Sequence, residues 1–308
     1  MHLFAGTSHP ALARSLAKEL GQPLGKVMLK KFSSGEHYVK YEESVRGKEV
    51  FIVQTATRNP NEDLMQLFLM CQAAKLSFAT TVHIALPHFP YARQDRITEP
   101  REPISAKLVA HLLEESGADH VIVLDLHSDQ IQGFFSIPVD ALDARTIFAD
   151  YVRSLKIKNL VVVAPDVGGA KRAKKFAVMI GADLAIMHKN RKRHHEAEIL
   201  EVVGDIEGKN CIIFDDIIDT AGTLLSGKKA LTDRGARDVY AAATHGVFSG
   251  PAAERLKKAK FKKVIVSDSI PNDPKLFPGL TILPIAPLLA EVIRHVSKGQ
   301  SVTEIYKK

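Results

Sequence analysis

The chain has 308 residues, 45% hydrophobic and 25% charged, with no tryptophan. That length exceeds one ordinary core, so two domains are expected. No apolar run reaches the ~18 residues that a membrane-spanning helix needs; Leu280 to Ala290 comes nearest, but Pro284 and Pro287 interrupt it. Lys and Arg total 42 against 35 Asp and Glu, a formal charge of +7, which favours anionic partners without separating nucleic acid from small phosphorylated ligands.

The opening, Met1 to Gly6, lacks the basic start and long apolar core of a signal peptide and reads as a first strand entering a turn. Short β-branched runs then alternate with helical patterns. In chain order the expected elements are a strand at Val50–Val53, a helix at Asn61–Leu76, a strand at Val82–Leu86, a helix at Ser105–Ser116 and a strand at Val121–Leu124. Next come a strand at Leu160–Ala164, a helix at Gly169–Val178, strands at Leu184–Met187 and Cys211–Phe214, a helix at Thr220–Arg234, and strands at Val239–Ala243 and Val264–Val266. Such alternation specifies parallel sheets covered by helices on both faces. There are too many strands for one sheet, so two α/β domains are expected, residues 1–143 and 144–308. Cys71 on a helix and Cys211 on a strand are read as buried structural thiols of a reducing, cytoplasmic setting.

The segment richest in chemistry is Ile212 to Thr223, where an apolar strand runs into paired acids, a short loop and small residues that open a helix. Ligands of open α/β sheets bind at such strand ends. Thr220, Ala221, Gly222 and Thr223 can present backbone N–H groups and hydroxyls to a phosphate, with a helix dipole behind them. Asp215 and Asp216 can accept hydrogen bonds from sugar hydroxyls. The plainer reading is an N-capped helix after an acidic turn.

This string resembles the phosphoribosyl pyrophosphate loop shared by type I phosphoribosyltransferases and ribose-phosphate pyrophosphokinases. Further segments resemble the pyrophosphokinases specifically. They are Lys31 to Glu36, Phe89 to Arg96, Asp125-Leu126-His127, Pro165 to Arg172, Met187 to Arg193 and Thr244 to Pro251. The resemblance implies two tandem phosphoribosyltransferase-like domains, each a mainly parallel sheet flanked by helices, with the active site between them. It implies transfer of pyrophosphate from Mg-ATP to the 1-hydroxyl of ribose 5-phosphate. The ordinary phosphoribosyltransferase and a non-enzymatic regulatory relative are the alternatives.

Residue by residue, the resemblance assigns Phe32, Ser34, Glu36, Arg93 and Gln94 to ATP, with Ser34 standing where the family usually carries Asn or Asp. Phe32 taken alone also fits a core position. It assigns His127 and Asp166 to Mg2+, although imidazole is an unusual ligand for that hard cation. Gly168 and Gly169 fall to pyrophosphate; Asp215, Asp216, Asp219 and Thr220 to Thr223 fall to ribose 5-phosphate. Lys189 and Arg191 become the catalytic cations, stabilising charge on the transferring group. A homo-oligomer, a hexamer built from dimers, is implied, with no nucleic-acid or membrane partner. Asp129 and the ending Ser301 to Lys308 depart from the pattern associated with phosphate activation and ADP inhibition.

Overall fold

A computed structural model describes residues 1–190 and 199–307 and divides the chain into two compact units. The first comprises Met1–Asp143, Ser269–Pro271 and Pro284–Lys308, the second Ala144–Asp268 and Asn272–Leu283.

The first unit runs β1 (His2–Ala5), α1 (Pro10–Leu20), β2 (Val27–Lys31), β3 (His37–Tyr41), β4 (Glu49–Val53), α2 (Pro60–Leu76), β5 (Thr81–Leu86), α3 (Ser105–Glu115), β6 (His120–Leu124) and β7 (Val139–Leu142). Its sheet has the order β1-β4-β5-β6-β7, parallel at every pairing, with β2 and β3 as a separate antiparallel hairpin. α1 shows why these residues form a helix here. Pro10 sits in its first turn, His9 Nδ1 accepts from Leu12 N–H at 3.2 Å, and Gly21 ends it at φ 68°. Leu12, Ala13, Leu16 and Ala17 make the buried stripe.

The second unit runs α4 (Arg145–Ser154), β8 (Leu160–Ala164), α5 (Ala170–Ile180), β9 (Asp183–Asn190), β10 (Ile199–Val203), β11 (Asn210–Ile218), α6 (Gly222–Asp233), β12 (Val239–Gly246), α7 (Ala252–Ala259), β13 (Val264–Ser267) and β14 (Leu280–Leu283). The sheet order is β10-β9-β8-β11-β12-β13-β14; β9 and β10 pair antiparallel, and the other pairings among the described residues are parallel. Strand alternation splits β11 between two layers. Phe214 stacks on Phe176 of α5 at 4.0 Å between centroids and meets Phe148 of α4 edge-on. Ile213 faces the other layer, where α6 comes close because Gly227 carries no side chain: a Cβ there would lie 2.7 Å from Met187 Cε.

The tail departs from the expected division. Residues 284–308, assigned from the sequence to the second domain, belong to the first unit, where α8 (Ala286–Ser297) packs on α1. α8 buries Leu288, Leu289, Val292 and Ile293, and Arg294 donates to the Glu19 carbonyl oxygen at the end of α1. Each such side chain contributes roughly 1.5–3 kcal/mol when buried, so the apolar stripe holds the helix in the first unit. Among the described residues, no helix is long and apolar enough to cross a membrane.

Candidate active site

In the second unit the chain leaves β8 toward β9 on one side and β11 toward β12 on the other. The ends of β8 and β11 therefore flank the point where strand order reverses, and open α/β sheets bind ligands in the crevice there. The expected strand at Cys211–Phe214 is longer than its apolar run. β11 pairs with β8 only as far as Ile213↔Val163, but with β12 through Ile218↔Gly246. Asp215 and Asp216 thus lie within the strand, on the stretch that has outrun its β8 neighbour.

Alternation turns the two acids to different faces. Asp216 is buried on the α5 side, where its Oδ1 accepts from Arg172 Nη1 at 2.7 Å. Asp215 is partly exposed; its Oδ1 accepts from Asp216 N–H at 2.9 Å and lies 3.4 Å from Arg172 Nη1. Burial, and next the charge of Asp216, push the Asp215 carboxyl well above the usual range, with Arg172 opposing.

After β11 the chain turns through Asp219 and Thr220 into α6. Ala221 caps this helix in the left-handed region, φ 62°, a backbone conformation an alanine rarely holds and one that concentrates at functional sites. The first capping bond runs from Leu225 N–H to Ala221 O, so the amides of Gly222 and Thr223 have no carbonyl one turn back. With the exposed hydroxyls of Thr220 and Thr223, they form a cradle for an anion. The run Thr244 to Pro251 braces this loop. Val247 and Phe248 N–H both donate to Ile218 O, Ser249 Oγ donates to Asp219 Oδ1, and Arg255 donates to Thr220 O at 3.0 Å.

Across the crevice, Pro165 and Asp166 follow the end of β8. The exposed Asp166 carboxylate accepts from Gly169 N–H at 2.8 Å, tying the Gly168-Gly169 turn at the head of α5. A Cβ on Gly169 would press on Pro165 at 3.2 Å, so glycine lets the backbone fold back closely. Lys189 lies on β9, its backbone paired with Leu200 of β10; Arg191 lies outside the described residues.

The remaining expected residues belong to the first unit. Phe32 is 56% exposed in the β2–β3 turn, which removes the core reading; its ring meets Tyr38 edge-on at 5.7 Å. In the same turn Ser34 Oγ donates to Glu36 Oε2 at 2.6 Å. Arg93 and Gln94 are exposed after β5, and the Gln94 amide oxygen accepts from Ser105 Oγ at 2.5 Å. His127 is exposed just beyond β6, where Asp125 takes φ 40°. Sequence reasoning placed Arg172 in a basic cluster but missed its grip on the acids. Ser249 and Arg255 had no signal beyond their neighbourhood in the motif.

Residues 1–117 match the N-terminal domain of ribose phosphate pyrophosphokinase, and residues 193–307 match the phosphoribosyl synthetase-associated domain. A ribose-phosphate pyrophosphokinase of Helicobacter hepaticus is 45% identical over 304 residues, 99% of this chain and 98% of that protein. A chloroplastic ribose-phosphate pyrophosphokinase 2 of Arabidopsis thaliana is 47% identical over 310 residues, 99% of this chain and 78% of the relative. The crystal structure of phosphoribosylpyrophosphate synthetase from Mycobacterium smegmatis matches with a TM-score of 0.92 and 44% identity, covering 97% of this chain and 99% of that one.

Proposed function

The chain belongs to the ribose-phosphate pyrophosphokinase family, and from that premise we propose how its residues transfer pyrophosphate from ATP to ribose 5-phosphate. The observation that carries the reading is the β11–α6 segment, where carboxylates and an anion cradle follow one another on a single stretch of chain. Thr220 to Thr223 hold the 5-phosphate against the start of α6, and Asp219 fixes the loop through Ser249. The Asp215–Asp216 pair supplies the carboxylate chemistry that orients the sugar hydroxyls. Held so, the 1-hydroxyl oxygen attacks the β-phosphorus of ATP and AMP leaves with the bridging oxygen. Fixing both substrates in line removes much of the entropic barrier.

The Gly168-Gly169 turn offers backbone to the pyrophosphate being transferred. Phe32 presents an exposed ring on which adenine stacks, with Ser34 and Glu36 beside it in the turn and Arg93 and Gln94 as further ATP contacts. Lys189 and Arg191 supply the cations that meet charge developing on the transferring group. Asp166, an exposed oxygen donor at a strand end, suits hard Mg2+, and His127 is the second protein group assigned to it. When bound, that ion offsets phosphate charge. Self-association into a homo-oligomer belongs to the same reading and is read by analytical ultracentrifugation.

The experiment is direct. ATP and ribose 5-phosphate should yield AMP and phosphoribosyl pyrophosphate in equal amounts, whereas a phosphoribosyltransferase would form no AMP from this pair. Asp215→Asn should weaken ribose 5-phosphate saturation far more than nucleotide binding, and equal weakening of both substrates would remove the sugar assignment. Lys189→Ala should lower kcat roughly 10²–10³-fold with little change in either KM, because its contact strengthens in the transition state. An unchanged kcat would displace Lys189 from that role.

A further inference from the structure

We propose that Arg172 is a positioning residue for the sugar site: it binds Asp216 and leaves Asp215 as the carboxylate that meets the ribose hydroxyls. This rests on the assignment of the acid pair to ribose 5-phosphate and divides the labour within it. The two carboxylates are not equivalent. Arg172 Nη1 lies 2.7 Å from Asp216 Oδ1 and 3.4 Å from Asp215 Oδ1, and the Asp216 side chain is 5% exposed against 26% for Asp215. A charged carboxylate as buried as Asp216 needs a partner, and Arg172 is in contact with it. Such a group is poorly placed to exchange hydrogen bonds with an arriving sugar. Asp215, at the edge of the crevice, has the exposure to do so.

The position of Arg172 on its own helix, next to Lys171, adds to the need for an acidic partner. It falls in the first turn of α5, which has no acidic residue there. A cation at a helix N-terminus opposes the helix dipole, so this placement is unfavourable to the helix taken alone. The contact with Asp216 offsets it.

Two adjacent carboxylates at a partly buried strand end repel, and the cheapest relief is to keep one proton. A protonated carboxyl loses acceptor capacity toward sugar hydroxyls. The charged groups acting on Asp215 are Asp216 on its own strand and Arg172 from α5, with opposite signs. The guanidinium thus keeps Asp215 more readily ionised while its bond to Asp216 fixes how the strand end is presented. Lysine would preserve the charge without the planar fork.

The test uses full-length Arg172→Gln, Arg172→Lys and Asp216→Asn, with both substrates titrated from pH 5 to 9. Arg172→Gln should raise KM for ribose 5-phosphate roughly 10-fold or more, leave KM for ATP unchanged, and move the acid limb of kcat/KM for the sugar to higher pH. Arg172→Lys should return the acid limb toward its original position while recovering only part of the affinity. Asp216→Asn combined with Arg172→Gln should cost little more than Arg172→Gln alone, because the two act as one unit. An unmoved acid limb, or equal loss for both substrates, in Arg172→Gln would overturn the positioning role. Should that variant not fold, an Arg172→Lys enzyme with unaltered sugar KM and pH profile would overturn it equally. Asp215→Asn separates this idea from its premise. If it leaves sugar binding intact, the ribose assignment itself fails; if it weakens sugar binding while the Arg172 variants do not, only the inference falls.

Discussion

The two units wind in the same sequence of strand, helix, hairpin, strand and helix, yet treat the corresponding strand ends in opposite ways. Beyond β1 and β4 in the first unit, four neutral side chains, Thr7, Ser8, Gln54 and Gln66, are linked by hydrogen bonds. Gln54 Oε1 accepts from Ser8 N–H and Oγ–H at 3.1 and 2.6 Å, while Gln54 Nε2 donates to Asp63 O and Gln66 Oε1, both at 3.1 Å. Gln66 Oε1 also accepts from Thr7 N–H and Oγ–H. Both glutamines are buried, at 1% and 4% exposure, and a Cβ on Gly6 would run into the Gln54 amide. Beyond β8 and β11 in the second unit, the same place carries Asp166, Asp215, Asp216 and Arg172 around an open cradle. One frame therefore supports a closed polar plug and a charged site. The side chains at the strand ends decide which.

Putting the acid of one unit into the other makes the sharpest test. Gln54→Glu removes both amide donors and points a buried carboxylate at the Asp63 carbonyl and the Gln66 amide oxygen. An unpaired buried charge typically costs ~3–5 kcal/mol. The melting temperature should fall by many degrees, with the loss of hydrogen-exchange protection confined at first to β1, β4 and α2. An unchanged melting temperature would mean that the plug is not closed.

The converse change should stabilise. Folding raises the affinity of Asp215 for its proton, so at neutral pH its carboxylate opposes the fold. Asp215→Asn removes that charge and should gain about 1 kcal/mol, the size common for relief of functional-site strain, while losing sugar affinity. Differential scanning calorimetry of the substrate-free protein gives the sign; a lower Tm would show that the charge is better compensated than its burial indicates.

The charged half of this contrast was legible in the sequence, and what was not has a physical reason. The apolar strands Val121–Val123 and Val161–Val163 are fully buried and announce themselves, as does the acid-to-small-residue string after Ile213. β2 and β3 were missed because their half-buried, lysine-bearing segments lack a continuous apolar run. The home of α8 was missed because an amphipathic stripe says that a helix docks, never on what. Arg172 and Asp216 are 44 residues apart in the chain, and no local pattern tells a reader that a helix's first turn faces a distant strand end. The glutamine plug left no trace, since Gln54 and Gln66 taken singly look like ordinary polar residues.

The smallest effect is the most discriminating, because pH should move the stability of the two units in opposite directions. In the first unit, burial and then the neighbouring His120 lower His83 from the ordinary histidine value to about 4. The geometry explains the resistance to a second proton: His83 Nδ1 lies 3.0 Å from His120 Nδ1, a gap that holds one proton and not two. Phe51 stacks on the His83 ring at 4.3 Å. Glu49 lies 3.2 Å from His83 Nε2, and Asp140 lies 3.2 Å from His120 Nε2. The unfolded chain takes up this proton near pH 6.5 and the folded chain only near 4, so the first unit should lose stability as pH falls between those values. The slope for one group cannot exceed about 1.4 kcal/mol per pH unit. In the second unit the raised Asp215 works the other way, because the folded state holds that proton more tightly than the unfolded one. Its contribution is full below the usual carboxylate range and is lost as pH rises through the raised value. Hydrogen exchange at β5 and β11 amides, corrected for intrinsic rates between pH 4.5 and 7, should show protection rising with pH in β5 relative to β11. His83→Gln should flatten the first trend alone, and Asp215→Asn the second alone. Parallel trends in the two strands, unmoved by either substitution, would mean that His83 and Asp215 do not set the pH response of their units.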